Sequence, residues 1–294
     1  MQLLTRTLPW KPTHILPLGD IQWAGKGHFS VSLGSLLRNI KRALAYEQQG
    51  HTVLFAGMGD YIDFASPSNR ARLAAADLYD TAVDVIDAAA LSLMREIYDE
   101  ALEQTKGKWA FLLEGHHFTQ LTTGATTDME LAKLLKAPFA GTSVVMKFTF
   151  AQEKSQARVP FVVWAHHGCG NGQTLYYPLS RLEKVHADWE GVDVYMMGHT
   201  TKQGAAPINR IRPQWHTKGR PDLTHRTGYL VGTGGYSKAY AEFSMQGRVP
   251  RGGYAEKGMM RASVLGSPII HINPVTEQTK GVRHSYAQIS VEVW

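Results

Sequence analysis

Five short clusters of glycine, aspartate and histidine follow one another along the chain, nearly every one directly behind an apolar run that reads as a strand. They are Gly19-Asp20-Ile21-Gln22, Gly59-Asp60-Tyr61-Ile62-Asp63, Gly115-His116-His117, His166-His167-Gly168 and Gly198-His199-Thr200-Thr201. Carboxylate and imidazole donors at several strand ends are what a divalent-metal site requires when separate loops build it. Together the clusters read as one such site.

The 294 residues are 44% hydrophobic, enough for one large α/β domain or two smaller ones. No internal repeat, heptad run or long low-complexity linker divides them, so one domain over residues 1–294 is the simplest organisation. The lone cysteine, Cys169, cannot form an internal disulfide, which fits a reducing compartment and points to the cytoplasm. No stretch approaches the ~20 apolar residues of a membrane span, and residues 1–11 lack the apolar run of a leader, so no membrane association is expected.

The formal charge of +6 is unevenly spread. Residues 201–294 carry 13 Lys and Arg against 5 Asp and Glu, a surplus of +8, whereas the first 200 carry 18 against 20. A basic last third suits a polyanionic partner, either nucleic acid or a phosphorylated substrate.

Periodicity places a strand at residues 14–18, a helix at 32–49 and a strand at 52–56. A long alanine-rich helical region is expected over 69–106, its Asp77, Asp80, Asp84 and Asp87 forming a solvated face. Strands follow at 109–113, 143–150 and 159–165, with a short helix at 128–136 behind an Asp128 cap. A helix at 178–189 and a strand at 192–197 complete the alternating part. From about residue 201 the chain turns basic and loop-rich, with strand candidates at 229–232, 268–272 and 285–293.

The ordered clusters resemble the calcineurin-like metallophosphoesterase superfamily, whose signature is D-x-H, G-D-x-x-D, G-N-H, a lone His and G-H-x-H on loops after strands. The resemblance runs from Asp20 to Thr201. It implies an α/β fold with two central sheets flanked by helices, a four-layer α-β-β-α sandwich, with metals above the strand ends. It also implies Asp20, Gln22, the bridging Asp60 and Thr201 at a first metal position. Gln22 and Thr201 stand where the signature has histidine, so this position is expected to be weak or empty.

The second position would take Asp60, the Asn position of G-N-H, the lone His and His199. If Gly115-His116-His117 aligns as G-N-H, His116 becomes a ligand and His117 the catalytic histidine, with Phe118 at the customary acid position. In the alternative register His116 is catalytic and Gly115 falls at the ligand position; the first register is preferred because it fills the shell. The lone His is His166 or His167, with His166 preferred and His167 left as support or substrate contact. Asp63 is a further supporting carboxylate. The ligand set suits manganese first, with iron or zinc also fitting.

The expected function is a metal-dependent phosphodiesterase or nuclease of phage or prophage type, using a metal-activated hydroxide, with Asp60 and His117 catalytic. The alternatives are a phosphomonoesterase or small-nucleotide hydrolase, and a catalytically degraded nucleic-acid-binding subunit. Trp215, Tyr229, Tyr236, Tyr240 and Tyr254, interleaved with Arg210, Arg212, Arg220, Arg226, Lys238, Arg251 and Lys257, are the nucleic-acid candidates. Gly168-Cys169-Gly170-Asn171-Gly172 reads as a flexible turn rather than a phosphate loop.

Overall fold

The computed structural model describes residues 1–294 except 27, 29–30, 77, 153–156, 171, 215–220, 241–244, 247–248, 251–253, 280–281 and 294. In chain order its elements begin β1 (Gln2–Pro9), β2 (Thr13–Leu18), α1 (Leu33–Gln48), β3 (Thr52–Gly57), α2 (Pro67–Ala75) and α3 (Asp80–Ile97). Next come β4 (Trp109–Leu113), α4 (Thr127–Leu135), β5 (Phe139–Gly141), β6 (Ser143–Ala151), β7 (Arg158–His166), α5 (Tyr177–Asp188) and β8 (Val194–Met197). The chain closes with β9 (Gln203–Gln214), β10 (Asp222–Thr233), the two-residue strands β11 (Met245–Gln246) and β12 (Val249–Pro250), α6 (Tyr254–Lys257), β13 (Ile269–Thr279) and β14 (Val282–Glu292).

These strands make an α/β protein with two mixed six-stranded sheets, ordered β1-β6-β7-β8-β10-β9 and β14-β13-β2-β3-β4-β5. In the second sheet β2, β3, β4 and β5 run parallel; in the first, β7, β8 and β10 do. Side chains alternate between packing clusters, as a strand buried on both faces requires. Ile15, Leu54 and Phe111 join Phe148, Phe161 and Met196 of the other sheet in one cluster. Their neighbours Leu16, Phe55 and Leu112 turn instead to Leu36 and Ile40 of α1, Met94 of α3 and Leu131 of α4. Trp164 and Tyr195 likewise meet Leu182 of α5. Two-sided burial explains why these strands read as unbroken apolar runs, each large side chain contributing about 1.5–3 kcal/mol.

Three expectations change. The helical region expected over 69–106 is divided into α2, α3, a π turn at Tyr98–Leu102 and a 3-10 turn at Glu103–Thr105. Helix propensity is continuous there, but α3 docks through Ala90, Met94 and Ile97 while α2 buries nothing, so no shared packing face carries one axis through. The cap of α4 is Thr126, whose hydroxyl accepts from Met129 N, not Asp128. The section after residue 201 contains two long antiparallel hairpins, β9–β10 and β13–β14. Pro207 and Pro213 hid the first, yet β9 is an edge strand, where a missing N–H costs no ladder bond.

At the start of β2 lies a histidine chain. His14 Nδ1 is 2.7 Å from His271 Nδ1 and His14 Nε2 is 2.8 Å from His51 Nδ1, while the ring stacks on Tyr46 at 3.8 Å. His271 Nε2 reaches towards Glu292 at 3.4 Å. Burial lowers the pKa of His14 to about 4, and His271 and His51 add to the effect. The folded pKa lies below the unfolded value of 6.5, so this stabilisation is complete above 6.5 and is lost as pH falls from 6.5 towards 4. The urea midpoint should therefore drop between about pH 8 and about pH 5, and His14→Phe should flatten part of that drop; an identical pH profile in the variant would count against the assignment.

Candidate metal centre

All five clusters sit at the C-terminal ends of strands: β2, β3 and β4 in one sheet, β7 and β8 in the other. Pairing continues past the ends of β2 and β3, with Met58 N donating to Leu18 O (2.8 Å), Asp20 N to Gly59 O (2.9 Å) and Gln22 N to Asp60 O (2.9 Å). That zipper sets the first two clusters side by side. Positive φ angles concentrate here: Asp20 (48°), Gln22 (51°), Asp60 (56°), His199 (68°) and Thr201 (54°), with only Lys136 and Met259 elsewhere among the described non-glycine residues. Such conformations cost about 1–3 kcal/mol each and persist where surroundings over-determine them, as at binding sites.

Two glycines let the loops close. A Cβ on Gly115 would fall 2.1 Å from Asp60 N and Oδ1, and one on Gly59 would fall 2.6 Å from Gly115 Cα and His167 Nδ1. Three residues outside the expected donor set brace the same loop. Asp128 Oδ2 accepts from Gly115 N (3.1 Å), and the Tyr61 hydroxyl accepts from Gly59 N (3.0 Å) and donates to Leu113 O (2.9 Å). Arg70 Nη1 donates to the carbonyls of Ala65 (2.9 Å), His116 (2.6 Å) and Phe118 (2.8 Å), its guanidinium 4.0 Å from the Phe118 ring centroid. An acidic residue at a helix start reads as a cap, and an arginine aimed at carbonyls leaves no sequence signal.

Inside this frame His116, His167 and His199 each offer a nitrogen, and the three atoms lie within 4.8 Å of one another. The group could hold a metal ion. His167 is 1% exposed; its Nδ1 lies 2.6 Å from Met58 O, which fixes that proton and leaves Nε2 facing the site. Nε2 has no hydrogen-bond partner and stands 3.4 Å from Asp60 Oδ2. Asp20 is fully buried; Oδ2 accepts from His199 N (2.8 Å) and Oδ1 has no partner. Two orphaned buried polar atoms of complementary donor type fit a cation, which would satisfy both.

The electrostatics agree. Burial pushes Asp20 up to about 7, partly opposed by His167, and Asp128 also rises to about 7 through burial. Burial acts on Asp60 in the same direction, but His167 and His117 outweigh it and hold the carboxyl below the usual range. For His167 burial is outweighed by the Asp60 carboxylate, raising it to about 9, while burial lowers His199 to about 4 with help from His167 and His116. Three imidazoles and two carboxylates crowded together thus split into pushed-up and pushed-down groups.

The structure brings together Asp20, Asp60, His116, His167 and His199 from the expected set. It selects His167 for the triad where the sequence favoured His166. His166 closes β7 two residues after Trp164 and stacks on that ring (5.9 Å, 17°), and its Nδ1 accepts from Gly168 N (2.7 Å). His117 is beside the triad, its Nδ1 2.9 Å from Asp63 Oδ1. Burial lowers the His117 pKa, but Asp63 and Asp60 outweigh it and raise the group. The Thr201 hydroxyl turns to Ser263 Oγ (3.1 Å), which also receives Lys202 Nζ (2.6 Å). Gln22 is half-buried and held through its backbone.

Cys169 is exposed, its sulfur accepting from Arg181 Nη2 at 3.1 Å. Of the aromatic and basic candidates, Tyr236 is fully buried against Asn39 and Ser267, and Arg210 turns inward to Tyr195 and Trp189. Tyr240 is exposed; Trp215, Arg220 and Arg251 lie outside the described residues, as do Asp77 and Asn171. Among the described residues no helix is long and apolar enough to cross a membrane. No protein-family model and no curated protein matches the chain.

His167→Ala should weaken Mn2+ or Zn2+ binding more than about 100-fold by calorimetry, whereas His166→Ala should cost less than about tenfold. The reverse ranking would restore His166 as the ligand. Gly115→Ala should lower unfolding free energy by about 1–3 kcal/mol in urea titration, because its Cβ has no room beside Asp60.

Proposed function

We propose that the chain is a metal-dependent phosphoesterase of the calcineurin-like type, its two sheets and helices arranged as a four-layer α-β-β-α sandwich. The observation that carries this reading is the cluster of Asp60, three imidazoles and the unpartnered Asp20 Oδ1 beside the His117–Asp63 pair. Asp20, Asp60, His116, His167 and His199 would hold the cation. When bound, a divalent ion such as manganese supplies Lewis acidity towards a phosphoryl oxygen and acidifies a coordinated water.

The remaining steps belong to the chain. Asp63 fixes the His117 ring through Nδ1 and favours its protonated form, which leaves Nε2 free to donate to the leaving oxygen. The backbone amides of His116 and His117 both point at Asp60 Oδ1 (2.5 and 3.0 Å), so the carboxylate cannot swing away while substrate binds. Arg70 clamps the carbonyls on either side of His117 and so positions the ring.

One cation rather than two is the proposed loading, because Thr201 is engaged with Ser263 and Gln22 contributes no imidazole. The substrate class is a phosphodiester, with nucleic acid favoured by the +8 surplus of residues 201–294. The engaged Thr201 also favours a second reading, a binding subunit that has lost turnover.

Elemental analysis should find about one metal per chain, and an activated phosphodiester should turn over faster than the matching monoester. Single-stranded DNA is the third substrate in the comparison. His117→Ala should lower kcat about 100- to 10,000-fold with metal content unchanged. Absence of turnover with manganese, iron or zinc on all three substrates would leave only the binding-subunit reading.

A further inference from the structure

Three cations stand against the loops of the histidine group without a carboxylate to neutralise them. Lys202 is buried three residues after His199, its ammonium held by the Arg261 carbonyl (3.0 Å) and Ser263 Oγ (2.6 Å). Arg261 is exposed, and its charge reaches this ammonium: burial lowers the Lys202 pKa and Arg261 lowers it further. On the loop that carries His167, Cys169 Sγ accepts from the exposed Arg181 through Nη2 (3.1 Å). The loops of the two arginines touch. Arg261 N donates to Gln173 Oε1 (3.3 Å), and a Cβ on Gly168 would fall 3.0 Å from His199 Cβ. Among the described residues none of Arg181, Lys202 and Arg261 forms an ion pair. A buried ammonium beside a second cation is costly to hold, and a bound anion relieves that cost.

The aromatic residues of the same stretch select the anion. Tyr176, directly before α5, is 75% exposed, and Tyr177 lies under Arg181 with the guanidinium 5.8 Å from its ring centroid. Guanidinium groups follow a chain of phosphates, and an open ring offers a face to an unpaired base. A free phosphate ion would use the cations and leave the ring idle. We propose that Arg181, Arg261 and the underlying Lys202 hold backbone phosphates of a single-stranded nucleic acid beside the histidine group, with Tyr176 as the stacking face for a base. The inference rests on the nucleic-acid reading of the substrate and not on turnover. Arg261 and Arg181 make the exposed contacts, while Lys202 contributes fixed charge from beneath.

Fluorescence anisotropy of a labelled single-stranded DNA of about 12 nucleotides, titrated with the full chain in the presence of a metal chelator, reads binding apart from cleavage. The wild type should bind with a dissociation constant below about 10 μM at low salt, weakening steeply as salt is added. Arg181→Gln and Arg261→Gln should each raise that constant at least about fivefold and reduce the slope of log Kd against log salt by about 0.7, the share of one phosphate contact on a single strand. Tyr176→Ala should cost about fivefold or more with the salt slope unchanged, because stacking releases no counterion. All three side chains are exposed, so the fold is not at stake. Lys41→Gln, which removes an exposed cation of α1, should change neither quantity. Orthophosphate at about 10 mM should leave the strand bound. A wild type that does not bind the strand, arginine variants that behave like Lys41→Gln, or displacement by orthophosphate overturns the proposal. Hydrolysis of a small activated diester is scored separately and stands or falls on the metal centre alone.

Discussion

The Asp60 carboxylate is the point on which the loops converge. It leaves β3, accepts two backbone amides from the loop after β4 through Oδ1, and faces the imidazole delivered by β7 of the other sheet through Oδ2. Strand-end loops from both sheets are thus referenced to one buried side chain. A buried carboxylate with two amide donors and a nearby imidazole is held ionised, whereas Asp20, with one amide on Oδ2 and an open Oδ1, is pushed towards neutrality. The asymmetry between these adjacent acids is electrostatic in origin, and it makes Asp60 the fixed member of the pair.

The strands beneath the site were legible because each is buried on both faces. Residues such as Phe111 and Leu112 point opposite ways yet both enter cores, which leaves an apolar run with a polar cluster at its end. The choice between His166 and His167 was hidden in strand parity. Trp164 packs against α5, and His166 lies two residues on and shares its face; that parity was the available signal. The break between α2 and α3 was illegible because alanine favours helix on both sides of it, and the β9–β10 hairpin was masked by prolines that an edge strand tolerates. Arg70, Asp128 and the Lys202–Ser263–Thr201 network depend on contacts across distant segments, for which one sequence carries no pattern.

That network ties the loop after β8 to a distant segment. Lys202 is 4% exposed, and its ammonium is satisfied by the Arg261 carbonyl (3.0 Å) and Ser263. Thr201 shares the same serine, so segment 261–263 is tied to the loop that carries His199. The Thr201 hydroxyl is thus committed to holding a loop.

The bond between His199 N and Asp20 Oδ2 joins residues 179 positions apart, and the site also draws on both sheets. Contacts of such separation form after the loop-closure entropy of the intervening chain has been overcome. The donors therefore come together through contacts between the two sheets, not within one local segment. Any cation the histidine group holds would thus be gripped by tertiary architecture rather than by a local sequence motif.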